Sequence, residues 1–313
     1  MSVLLAILVY ALWTTIYPLA KLNLEHAPPL FLVGTRMLLG GILLLVFLLF
    51  QNRSLFKISL KTFLSLCLFA IISVYISNAF ECWGLQYLSA AKACFIFSLS
   101  PFFSVIFSYL HFNEKMSLRK FIGLMIGFAG ILPVLWIQKG SDELMTSFTL
   151  LSWAELSLMG AVATSVYGWV LLRKLVKEIS PSMANGTSML IGGCLALIHS
   201  MFVENWAPIP VPRAEWASFG QVLLIMVVIS NLLCYNLYGM LLKRLTVTLL
   251  CFIGLFSPVF ASLSSWAILG ESPSLSMFYS TAILLIGLWI VYSEELKQGY
   301  LSNKPQTAQT TSA

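Results

Sequence analysis

Charge is what this chain has least of: charged residues make up 10% of its 313, against about a quarter in soluble domains. Aspartate occurs once, as Asp142, and the three histidines, His26, His111 and His199, stand on separate segments. Metal-assisted hydrolysis needs clustered carboxylates and imidazoles. HExxH, a Walker loop and a phosphate-cradling glycine run are all missing, so metal hydrolysis and ATP-driven transport lack their parts and no cofactor or metal is expected. The six cysteines, Cys67, Cys82, Cys94, Cys194, Cys234 and Cys251, all lie in apolar stretches without CxxC spacing, which excludes a disulfide framework and a zinc site. No basic stretch precedes the first apolar segment, so a retained helix is expected there, not a signal peptide.

What is present is hydrocarbon. Apolar residues make up 59% and the mean hydropathy is +0.91, which excludes a water-soluble fold. Crossing about 30 Å of lipid takes roughly 20 apolar residues, with every backbone amide bonded inside the segment, and this selects helices. Ten segments qualify: about 2–21, 29–50, 62–85, 90–112, 120–138, 149–172, 181–203, 216–241, 245–269 and 276–293.

The halves are copies. PPLFLVGTRMLLGGILL, from Pro29, returns 152 positions later as PSMANGTSMLIGGCLAL, from Pro181, with Gly34/Gly186, Gly40/Gly192 and Gly41/Gly193 among the matches. A second register, offset by 157, pairs Cys94, Ser100, Pro101 and Glu114 with Cys251, Ser257, Pro258 and Glu271. Five helices per copy is an odd number, so the second copy must enter the membrane from the opposite face. The expected fold class is an all-α membrane protein whose ten transmembrane helices form two inverted five-helix repeats, 1–138 and 149–293, followed by a cytoplasmic tail, 294–313. Such repeats around a midplane site suit alternating access, because two like bundles of opposite orientation can rock between near-equivalent states.

The net charge of +6 follows topology. Thirteen lysines and arginines fall on the side of the termini, against Lys21, Lys92, Lys139 and Arg213 on the other, a positive-inside bias that puts both termini in the cytoplasm. The bilayer is the expected partner, and nucleic acid has no support beyond pI.

Several ordered marks carry a resemblance: Trp13 and Lys21 in the first helix, the pairs Ser100–Pro101 and Ser257–Pro258, the turns FNEKMSLRKFIG and LGESPSLSMFYS, and the helix GLMIGFAGI. In these the chain resembles the EamA group of the drug/metabolite transporter superfamily, ten-helix carriers built from two five-helix repeats, and the likeness covers almost the whole chain. It is similar as well, by overall likeness, to S-adenosylmethionine/S-adenosylhomocysteine carriers of obligate intracellular bacteria. The resemblance implies secondary-active transport in a bacterial inner membrane.

Residues that serve the fold should recur between repeats, whereas those serving an asymmetric ligand need not. Arg36 faces Ser188, Glu81 faces Tyr238 and Lys92 faces Leu249, so three charges are unique to the first half. A charge near the bilayer centre costs about 2.5–3.5 kcal/mol on insertion scales, and such groups usually face a cavity or a partner. Arg36 is expected to bind a substrate carboxylate, for which its planar fork is suited. Glu81 is expected to pair with a substrate cation or to titrate a coupled proton. The alternatives are an Arg36–Glu81 salt bridge that only fixes packing, and a Lys92 that snorkels to the surface.

Trp13 and Trp169, with Tyr75 and Tyr238, offer faces for a flat ring or a sulfonium, although aromatics in membrane bundles also serve packing and interface anchoring. Asn78 and Asn231 could hydrogen-bond a ligand or a neighbouring helix. Pro101 and Pro258 remove a helical donor and suit either a hinge or a fixed bend. Lys21 and Arg173, equivalent between repeats, suit negative helix ends, while Glu114, Glu271 and Glu155 suit turns and helix starts. The paired glycines suit close helix approach.

A membrane enzyme lacks clustered chemistry, a channel would need a repeated polar lining, and a scaffold leaves the mid-depth charges without a role. The expected function is S-adenosylmethionine uptake in exchange for S-adenosylhomocysteine, the alternative being movement of amino acids or other amphipathic metabolites.

Overall fold

The computed structural model describes residues 2–51, 56, 58–88, 90–137, 152–207, 209–257, 259–260 and 275–300, with side chains except at 90–92, 95, 131–137, 275–278 and 280. Everything regular in them is helical: α1 (Ser2–Leu24), α2 (Pro29–Gln51), α3 (Leu60–Tyr87), α4 (Ala90–Phe97), α5 (Ser100–Phe112), α6 (Leu118–Ile137), α7 (Trp153–Leu175), α8 (Pro181–Val203), α9 (Arg213–Leu241), α10 (Val247–Phe256) and α11 (Leu275–Lys297). Among the described residues, six helices (α1, α2, α3, α7, α8 and α9) are long and apolar enough to cross a membrane.

Helix starts follow local chemistry. Ser59, Ser180 and Thr246 accept from the backbone N–H three residues on, at 3.1, 3.2 and 3.0 Å. Ser152 and Glu155 close a reciprocal capping box on α7, in keeping with the local role expected of Glu155. Asn113 ends α5 in the left-handed conformation (φ 52°), which asparagine tolerates better than most residues.

Interruptions fall where they shape the interior. In α1 the ladder breaks at Thr15, because Pro18 has no N–H for the Thr14 carbonyl. Pro101 likewise offers no N–H to Phe97; the chain turns at Ser98 and Leu99, and α5 restarts with the proline in its first turn, where a missing donor costs nothing. Gly254–Phe256, at the equivalent place in the second half, winds as a 3-10 turn. Pro258 lies outside the described residues. Two π-helical stretches match likewise, Ala70–Ile76 in α3 and Val227–Cys234 in α9.

The duplicated glycine helices pack on each other. A Cβ on Gly41 would stand 2.9 Å from the Gly186 carbonyl, and one on Gly193 would stand 3.1 Å from the Gly34 carbonyl. Gly34 matches Gly186 and Gly41 matches Gly193, so the contact is reciprocal and α2 and α8 run antiparallel. Helices α6 and α11 also close on a glycine: a Cβ on Gly287 would stand 2.9 Å from the Gly123 carbonyl. In these pairs the missing side chain lets backbones touch, the packing role expected of such glycines.

Two buried ionic contacts lie at the basic end. Arg173 Nη1 pairs with Glu114 Oε1 at 2.5 Å, and Lys120 Nζ with Glu295 Oε1 at 2.7 Å. Sequence reading gave Glu114 and Arg173 separate local roles; the structure joins them. Helix α11 runs to Lys297, and within its last turns Glu295 is buried against Lys120 and accepts from Thr246.

Candidate functional site

A cavity opens between α1, α2, α3, α7, α9 and α10, with the α4–α5 break at its side. Its polar wall holds Arg36, Asn78 and Glu81, and its aromatic wall holds Tyr10, Trp13, Tyr17, Phe97, Trp169 and Tyr235. Arg36, Asn78, Glu81, Trp13 and Trp169 were expected from the sequence as ligand contacts, and all five line this one cavity.

Arg36 is only 4% exposed. One terminal nitrogen donates to the Asn78 side-chain oxygen, while Nε has no hydrogen-bond partner among the described residues. Glu81 lines the same cavity, yet no ion pair between Arg36 and Glu81 occurs among the described residues. The guanidinium thus faces the cavity with a neutral partner and an unused donor. An unpaired buried charge is costly, and an anion entering the cavity would relieve that cost.

Tyr10, Trp13, Trp169 and Tyr235 cluster with Tyr238, while Tyr17 pairs with Phe97. Trp13 meets Trp169 edge-on at 5.6 Å and Tyr235 at 5.1 Å, and Trp169 lies 4.4 Å from Tyr238. Tyr238 is fully buried and does not line the cavity; it backs the two indoles.

Tyr75 is placed elsewhere. Its hydroxyl meets His199 Nδ1 at 2.7 Å, on the side of α8. The cavity face of α3 carries Ser73, Ser77, Asn78 and Glu81, of which Ser73, Ser77 and Glu81 stand four apart, the spacing of one helix face. Tyr75, two residues from both Ser73 and Ser77, lies on the opposite side of the helix from them. Asn231 is also withdrawn, buried against Gly40 with its amide on the Met37 and Met189 sulfurs. Lys92 belongs to α4, and its side chain lies outside those described.

Tyr10, Tyr235, Ser73, Ser77, Cys94 and Cys251 line the cavity without having been marked as binding residues. Cys94 and Cys251 are repeat equivalents, a signal already present in the sequence. Tyr10 and Tyr235 carried none.

The EamA-like transporter family matches this chain twice, over residues 1–136 and 152–293. A Chlamydia muridarum S-adenosylmethionine/S-adenosylhomocysteine transporter is 36% identical over 304 residues, covering 96% of this chain and 94% of the relative. The uncharacterized transporter YoaV of Bacillus subtilis is 23% identical, covering 89% and 92%. One crystal structure superposes with a TM-score of 0.74 at 17% identity, covering 95% of this chain and 98% of that one, which shows a shared fold. With both halves matched and a relative this similar over nearly the full length, the chain belongs to the EamA-like transporter family, as a multi-pass membrane carrier and not an enzyme.

Proposed function

We propose that this carrier moves S-adenosylmethionine across a bacterial inner membrane in exchange for S-adenosylhomocysteine, by alternating access of two inverted five-helix repeats, 1–138 and 149–293. The antiparallel, reciprocal contact of α2 with α8 supports inversion, and the excess of basic residues at one end supports cytoplasmic termini.

Buried Arg36, with an unused Nε beside a neutral amide, is the observation that carries the reading. It suits a carboxylate. Glu81 suits the α-amino group of the same ligand, and Lys92 is kept as a secondary contact. Arg36 and Glu81 alone would serve many amino acids. Rings at Trp13, Trp169 and Tyr235 favour one bearing a flat base and a sulfonium, in agreement with the transporters named for that pair.

Proteoliposomes loaded with unlabelled S-adenosylhomocysteine test it. Saturable accumulation of labelled S-adenosylmethionine, dependent on the internal load, is expected. Uptake of amino acids in its place would assign the alternative substrate class.

A further inference from the structure

We infer that Asn78 is a positioning residue, which aims the Arg36 guanidinium at an incoming carboxylate from an anchor made by the π-helical turn of α3. The inference rests on the carboxylate role of Arg36 and says how that role is prepared.

In a π turn the bonds run from i to i+5, so the return to α-helix leaves carbonyl capacity without a helical N–H. Asn78 supplies it. Its side-chain nitrogen donates to the Ser73 carbonyl at 3.2 Å and the Val74 carbonyl at 2.9 Å. That engagement fixes the amide orientation, because turning it over would set two acceptors against each other and its NH2 against the guanidinium. The oxygen is left facing Arg36, which donates to it. A long side chain that would otherwise sample many rotamers is held in place before ligand arrives, which lowers the ordering cost of binding.

The second half repeats this latch with a neutral donor. Asn236 gives its amide to the Asn231 and Leu232 carbonyls at 3.2 and 2.9 Å, the same two positions back along the π turn. Its oxygen faces Asn185 of α8 at 3.5 Å. The latch therefore belongs to the fold, and the guanidinium on it belongs to one half alone. Asn236 is a built-in control.

The test measures binding of S-adenosylmethionine and of its carboxyl methyl ester to the purified, full-length carrier. Asn78→Ala should raise Kd for the acid about tenfold, the scale of a hydrogen bond to a charged group, and for the ester by less than about twofold. Asn78→Asp, which sets a fixed anion against Arg36, should weaken the acid further and again spare the ester. In the acid-to-ester ratio Arg36→Ala and Arg36→Ala/Asn78→Ala should match, since the positioning of the carboxylate runs through Arg36. Asn236→Ala should lower thermal stability and leave the acid-to-ester ratio unchanged. Equal losses for both ligands in Asn78→Ala, additivity in the double variant, or a changed ratio in Asn236→Ala would overturn the inference. If Arg36→Ala alone keeps the ratio of the unaltered protein, the carboxylate role itself fails.

Discussion

Arg173 of α7 closes an ion pair on Glu114, 59 residues earlier in the turn between α5 and α6. Its guanidinium also lies 4.7 Å from the centre of the Phe112 ring. The contact joins the first helix of the second half to the last turn of the first, so both halves are tied at the basic end. Removing one partner strands the other: Glu114 is 5% exposed, and breaking a buried pair costs about 3–5 kcal/mol. Arg173→Met, which strands the buried Glu114 carboxylate, should therefore lower the melting temperature clearly. The paired change Glu114→Gln with Arg173→Met should recover much of the loss, because no charge is then left unpaired. Tryptophan fluorescence melts in detergent report both, and an unchanged melt for the single variant would mean a peripheral contact.

For Arg36 the expectation is loss of transport without loss of fold. Arg36→Ala should abolish S-adenosylmethionine uptake while inserting and melting normally, since it removes a buried charge whose partner is a neutral amide. Arg36→Lys should retain weak uptake, because an ammonium keeps the charge but not the planar fork. Uptake by Arg36→Ala at the normal rate, at matched protein levels in proteoliposomes, would return the residue to packing.

Sequence alone exposed the segments, the duplication and the charged wall, for physical reasons particular to membranes. A lone Arg36 or Glu81 in an apolar run stands out because lipid punishes charge, and paired glycines stand out because both copies keep them. Contacts between distant segments left no such trace. Glu114 and Arg173 were visible as repeat-related residues, yet nothing local says that they meet. Tyr75 shows the limit of reading by residue type. Ser73 and Ser77 share the cavity face with Glu81 at four-residue spacing, while Tyr75 between them turns to His199. Tyr10 and Tyr235 resemble any aromatic in a bundle until α1 and α9 are seen together.

Because Gly41 and Gly193 are reciprocal, they should respond alike. A Cβ on Gly41 would lie 2.6 Å from the Leu190 backbone nitrogen, and one on Gly193 2.6 Å from that of Leu38. Backbone cannot yield as a flexible side chain does, so each Gly→Ala change should cost about 1–3 kcal/mol by overpacking. Gly220 has open space around it and should accept alanine without penalty. Thermal melts of the three variants check this, and a large difference between Gly41→Ala and Gly193→Ala would break the reciprocity.

Trp13 separates the two proposed ligands by charge. S-adenosylmethionine bears a sulfonium, and S-adenosylhomocysteine a neutral thioether of similar shape. The Trp13 ring lies against Trp169 and Tyr235 at the cavity wall, where a cation gains about 0.5–2 kcal/mol from an aromatic face. Trp13→Leu keeps apolar bulk and removes most of the π face. Affinity for S-adenosylmethionine should fall about three- to tenfold more than that for S-adenosylhomocysteine, shifting exchange toward the neutral ligand. Competition of each compound against labelled S-adenosylmethionine measures the ratio directly. Equal losses would mean that the indole contributes area and shape alone, and that the sulfonium is met by Glu81 or by no fixed group.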